Sequence, residues 1–149
     1  MFFIKIKPEN MAGINILIAL DAQIFDIPWS ESQWRAEIEN PVNEVFVISG
    51  DEELLFPAGF LSYGISGDAI ELKKIGILGP YRKQKVASAA LEKLIQDSLN
   101  ENMCNIISEV AATNLPAIRL YENFGFYKIH VRKKYYNNLV DAIVMQREI

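Results

Sequence analysis

Apolar and charged residues alternate through FFIKIKP, residues 2–8, and Pro8 closes the run, so the spacing predicts a first strand. MAGINILIALDAQIF, residues 11–25, repeats its apolar residues at helical spacing and predicts a helix. PWSESQWRAEIENP, residues 28–41, predicts a second, shorter helix. Ser30 and Gln33 stand at capping-box spacing, and Pro41 ends the run.

The pattern then turns to strands. NEVFVIS, AGFLSYGI and AIELKKIGIL read as three, the last two joined by a Ser66-Gly67-Asp68 hairpin turn. VASAALEKLIQDSLNEN is a strong helix with Ala and Leu on one face, and CNIISEVAA is an apolar strand. NLPAIRLYENFGF reads as a short helix, with Pro116 near its first turn and Gly125 just past its end. YKIHVRKKYY and AIVMQREI close the chain as two strands around the polar loop NNLVD. The order β-α-α-β-β-β-α-β-α-β-β predicts a mixed α/β fold, α+β-like, with helices on the faces of a mixed sheet. No linker, repeat or low-complexity segment divides the 149 residues, so one domain, 1–149, is expected. Open sheets of this kind bind ligands at the carboxyl ends of strands, where helix N-termini point.

Composition narrows the function classes. Half the residues are hydrophobic and 23% are charged, as in a soluble globular protein. The formal charge of −4 argues against direct nucleic-acid binding, which leaves a basic footprint, and is compatible with a basic peptide partner. The one cysteine, Cys104, excludes an internal disulfide, and a reducing cytoplasm is the natural setting. The apolar stretch 14–20 is too short to span a bilayer, so no membrane association is expected. Cys104 and the one His130 have no metal-ligand spacing, so no metal is expected. Cys104 reads as a small buried hydrophobe, and His130 as one residue of an alternating strand.

One segment carries candidate chemistry. The strand KKIGIL runs through GPYRKQK into the long helix. A strand-loop-helix unit leaves backbone N–H groups free at the helix start, and these donors attract phosphate together with the helix dipole. Arg82, Lys83 and Lys85 add positive charge where a helix built only for stability would place Asp or Glu. From this segment alone, a phosphate loop and a solvated basic turn both remain open.

The neighbouring residues supply a resemblance. LPAIRLYENFGF resembles a segment of the GNAT acetyltransferase superfamily, and the element order is that superfamily's order. Its fold is a largely antiparallel, twisted sheet of about seven strands flanked by about four helices. Within it the chain looks most like the ribosomal-protein-alanine N-acetyltransferases. FDIPWSESQW, SEVAATNLPAIRLYENFGF, VRKKYY and DAIVM carry that likeness. The resemblance implies acetyl-CoA as cosubstrate and transfer of acetyl to the N-terminal alanine of a ribosomal protein or a similar basic N-terminal segment. It maps the family's Arg/Gln-x-x-Gly-x-Gly/Ala pyrophosphate loop onto Arg82, Lys83, Gln84, Lys85, Val86 and Ala87, with Ser88 next. The departure is Lys85, which stands where the family carries glycine; Ala87 keeps the second small position.

Direct transfer needs a neutral amine, hence a base, and a proton donor for the departing thiolate. Glu109 is a carboxylate in an otherwise apolar strand, where partial burial would favour a base. The resemblance gives Glu109 the base role and Tyr121 the general-acid role. It gives Asn114 a cofactor contact beside its helix cap, and Ile75, Gly76 and Ile77 backbone contacts with the pantetheine arm, Gly76 permitting close approach. Tyr135 and Tyr136 either line an acceptor groove, as the resemblance suggests, or pack. Trp29 and Trp34 read as core or groove wall, and Arg132, Lys133 and Lys134 as a solvated strand or turn. Two rival functions stay open: acetylation of a small amine, and a degenerate fold that binds coenzyme A or a protein without catalysis, which Lys85 keeps alive.

Overall fold

A computed structural model describes residues 1–136 and 139–149. The Asn137-Asn138 part of the expected NNLVD loop lies outside the described residues. Seven strands and four α-helices follow in the expected order: β1 (Phe2–Lys5), α1 (Met11–Ile24), α2 (Glu31–Glu39), β2 (Asn43–Ser49), β3 (Pro57–Ser66), β4 (Ala69–Ile77), α3 (Val86–Asn100), β5 (Asn105–Ala111), α4 (Leu115–Asn123), β6 (Tyr127–Tyr136) and β7 (Val140–Glu148). A single 3-10 turn, Gly79–Tyr81, precedes α3. The strands form one mixed sheet in the order β1-β2-β3-β4-β5-β7-β6.

The chain forms two compact units, Met1–Gly64 with Lys74–Ala90, and Ile65–Lys73 with Leu91–Ile149. In the first, β1 and β3 both pair antiparallel with β2. Helix α1 starts at Asn10, whose side chain accepts from the Gly13 N–H at 2.9 Å, a cap worth about 1 kcal/mol. Its buried stripe is Gly13, Ile14, Leu17, Leu20 and Asp21. The predicted Ser30–Gln33 capping box forms, with Ser30 Oγ accepting from the Gln33 N–H and Gln33 Oε1 accepting from the Ser30 N–H. Leu17, Val47, Phe60 and Trp34 are fully enclosed in this core, each burial contributing roughly 1.5–3 kcal/mol. Trp34 therefore belongs to the core, with the half-buried Trp29 packed against it, ring centroids 4.7 Å apart.

In the second unit β5 is central. It runs parallel to β4 over Ala69↔Asn105 to Leu72↔Ser108, and antiparallel to β7 along its whole length. Alternation buries Ile106, Ser108 and Val110 on one face and turns Ile107 and Glu109 to the other. Asn114 caps α4 by accepting from the Ala117 N–H, Pro116 sits in the first turn, and Gly125 takes a φ of 86° just past the helix end. Cys104 departs from expectation. It lies one residue before β5 and its thiol is exposed. Its backbone alone is held, the N–H donating to Asp68 O and the carbonyl accepting from the Ile149 N–H. His130 is exposed on β6, which lies at the sheet edge and pairs only with β7.

Candidate active site

The loop before α3 lies in the first unit. Lys83 and Lys85 both adopt the left-handed backbone, with φ of 60° and 62°. That conformation costs a residue with a Cβ roughly 1–2 kcal/mol and costs glycine almost nothing. Lys85 therefore takes up a glycine-like backbone although it is not a glycine. The Lys85 carbonyl accepts the first helical hydrogen bond, from the Ala89 N–H at 3.0 Å. The N–H groups of Val86, Ala87 and Ser88 thus fall in the first turn, which has no helical acceptors. The turn holds itself together: Arg82 Nε donates to the Ile77 carbonyl at 3.0 Å, and Gln84 Nε2 donates to the Pro80 carbonyl at 2.8 Å. Arg82, Lys83, Gln84 and Lys85 are exposed, and no acidic side chain neutralises them in an ion pair among the described residues. Such a start to a helix can take a phosphate.

The Arg82 bond ties this loop to β4, whose end carries Ile75, Gly76 and Ile77. Gly76 does permit close approach, but of aromatic rings. A Cβ there would meet Phe25 Cε2 and Phe60 Cζ, each at 2.9 Å. Next to it, Lys74 forms an ion pair that pattern reading missed. Its Nζ donates to both carboxylate oxygens of the fully buried Asp21, at 2.7 and 2.9 Å. It also lies 4.5 Å from the Phe25 ring centroid and 4.8 Å from that of Trp29. Asp21 accepts two further bonds, from Trp34 Nε1 and from the Trp29 backbone N–H, both at 2.9 Å. One carboxylate thus ties α1, the segment after it, α2 and β4 together. Burial pushes the Lys74 ammonium down from its ordinary range, against the pull of Asp21. The signal was readable: Asp21 continues the spacing of Ile14, Leu17 and Leu20, so an acid falls on the buried stripe of α1.

The second unit gathers the other candidates. Glu109, on β5, is partly exposed, and its Oε1 stands 3.2 Å from Arg132 Nη2 of β6. Burial raises the Tyr136 hydroxyl above the ordinary tyrosine range, and the nearby Glu109 and Tyr135 add to the shift. Burial likewise raises Tyr121 far above that range, with Tyr136 contributing. Tyr121 sits on α4, is 4% exposed and packs against Phe126 at 5.5 Å between ring centroids. A phenol in that setting stays protonated at neutral pH. The rings of Tyr135 and Tyr136 meet edge to face at 5.2 Å, and Arg132 lies over Tyr135 at 5.4 Å. Glu109 on β5, Tyr136 on β6 and Tyr121 on α4 thus all belong to the second unit, with Asn114 at the start of the same helix as Tyr121. Arg132, expected to be solvated, instead forms an ion pair with Glu109 across β7, between two strands that are not neighbours in the sheet. No group of three or more His, Cys, Asp or Glu that could hold a metal occurs among the described residues, and no described helix is long and apolar enough to cross a membrane.

Comparison with known proteins identifies the family. The model of the Acetyltransferase (GNAT) family matches residues 14–126. The [ribosomal protein bS18]-alanine N-acetyltransferase of Escherichia coli (strain K12) is 30% identical over 122 residues, covering 79% of each chain. The crystal structure of the ribosomal-protein-S18-alanine N-acetyltransferase from Escherichia coli superposes with a TM-score of 0.87 at 24% identity, covering 99% of this chain and 93% of that one. A crystal structure of the NatC complex bound to Gag peptide and CoA superposes at 0.83 and 19% identity, covering 99% and 98%. A carboxylate, a protonated buried tyrosine and a basic helix-start loop thus stand on a chain matched by one family model over most of its length, and the chain belongs to the acetyltransferase (GNAT) family.

Proposed function

We propose that the whole chain works as one cytoplasmic acyltransferase domain. It moves acetyl from acetyl-CoA to the α-amino group of a protein N-terminus, alanine on a basic ribosomal protein in the first instance. The observation that carries this reading is the family match over residues 14–126, with a partly exposed carboxylate, Glu109, and a buried phenol, Tyr121, in the second unit. The similarity to bS18-alanine acetyltransferase supports the choice of acceptor.

Acetyl-CoA supplies a thioester whose acyl carbon is open to attack. The residues of the chain do the rest. The first-turn N–H groups of Val86, Ala87 and Ser88, with Arg82, Lys83, Gln84 and Lys85, hold the pyrophosphate. The backbone of Ile75-Gly76-Ile77 takes the pantetheine arm in strand fashion. The β5 pairing of β4 ends at Leu72, three residues earlier. Asn114 adds a contact from the start of α4. Glu109 accepts a proton from the acceptor's ammonium, whose ordinary pKa of about 7.7–8.0 leaves much of it charged at neutral pH. The amine forms the new C–N bond and the C–S bond breaks as Tyr121 delivers its proton to the sulfur; the second proton that the nitrogen sheds on becoming an amide returns to the Tyr121 oxygen by way of solvent, and the first stays on Glu109. Burial makes Tyr121 a weak acid, but the same apolar surroundings raise the proton affinity of a thiolate beside it.

The test is acetyl transfer to a peptide that begins with alanine and continues with basic residues. The controls are the same peptide with a blocked N-terminus and a panel of polyamines and aminoglycosides. Transfer to the free alanine peptide alone is expected. Transfer to the small amines alone would replace the proposed acceptor, and none at all would leave a degenerate fold.

A further inference from the structure

The bond between Arg132 and Glu109 has a consequence for acceptor selection. It rests on the assignment of Glu109 as base. The register partner of Glu109 on β7 is Val144, and His130 of β6 completes that row, two strands away. Arg132 and Tyr136 approach from β6. Lys73 of β4 lies on the same side by strand alternation, one step past the last paired residues. Arg132 makes an ion pair with Glu109. Its side chain is 49% exposed and that of Glu109 27%, so water reaches both and the pair is worth at most about fivefold in an equilibrium. A bond that weak can be exchanged.

We propose that Arg132 stands in for the acceptor's ammonium. Before the acceptor arrives, the guanidinium holds the Glu109 carboxylate oriented. An incoming α-ammonium competes for the same oxygen and displaces it, while the cation–π contact with Tyr135 gives the guanidinium somewhere to remain. Arg132 is thus a positioning residue that sets how strongly a cation must bind before the base is engaged. An uncharged amine gains little from the exchange.

The experiment compares Arg132→Gln, Arg132→Lys and Glu109→Gln with the parent chain, using an alanine-initiated basic peptide and acetyl-CoA. In Arg132→Gln the competitor is gone, so the peptide KM should fall severalfold while the acetyl-CoA KM stays put. The kcat should change less than the peptide KM, because the chemistry on Glu109 is untouched. Arg132→Lys should restore the parent peptide KM, which a merely structural role would not require. A peptide KM that is unchanged or rises overturns the proposal while inactive Glu109→Gln leaves the base assignment standing. Full turnover in Glu109→Gln removes the base assignment and the proposal together.

Discussion

Replacing Asp21 by Ala removes one carboxylate that accepts four hydrogen bonds at 2.7–2.9 Å, and leaves the Lys74 ammonium with only the Phe25 and Trp29 rings beside it. Breaking one side of a buried ion pair costs about 3–5 kcal/mol. Proton loss sets a ceiling on the Lys74 part: shedding a proton at pH 7 from an ordinary value of 10.5 costs about 5 kcal/mol at roughly 1.4 kcal/mol per pH unit. A chain of this size loses about 2–4 °C in Tm per kcal/mol, so Asp21→Ala should melt roughly 6–20 °C lower. Lys74→Met should cost less, because Trp34 Nε1 and the Trp29 N–H still satisfy Asp21. The double variant carries no stranded charge and should be more stable than Asp21→Ala alone. Thermal and urea melts of the four proteins close a double-mutant cycle. Losses that add within about 0.5 kcal/mol would show that the pair is not coupled and would refute the reasoning.

Three further outcomes are expected. Lys85→Gly should keep acetyl-CoA affinity by calorimetry and hold or raise Tm, since it relieves a left-handed lysine, whereas Lys85→Pro should abolish binding by fixing φ near −65°. Tyr121→Phe should stay folded by circular dichroism and lose about 100-fold or more in kcat, because only the donor is removed. Asp141 is held below its ordinary value of 3.8 by the Lys134 N–H, with Lys133 contributing. The folded state therefore binds its proton less readily than the unfolded chain. That stability is present above pH 3.8 and lost as pH falls through the folded value, so acid melts of Asp141→Asn should lack this component.

The element order, the Ser30 capping box and the Asn114 cap were legible because each rests on residues close in sequence. So was Glu109 as the lone acid of a central strand, since alternation alone turns it away from Ile106 and Val110. What escaped depends on contacts between distant segments. Lys74 meets Asp21 across 53 residues, and Arg132 reaches Glu109 from another strand. Lys85 escaped for a different reason. Residue identity shows only that a lysine replaces the family's glycine, and cannot show that the backbone still takes the left-handed turn with the lysine bearing the strain. Cys104 was misplaced because its apolar neighbours belong to β5 and it does not.

The most direct test of the account is Glu109→Gln, with acetyl-CoA binding followed by calorimetry and transfer to an alanine-initiated peptide followed by mass spectrometry. Acetyl-CoA affinity should stay unchanged and turnover should fall by about 100-fold to 10,000-fold. Undiminished turnover with intact binding would contradict the assignment of Glu109 as base.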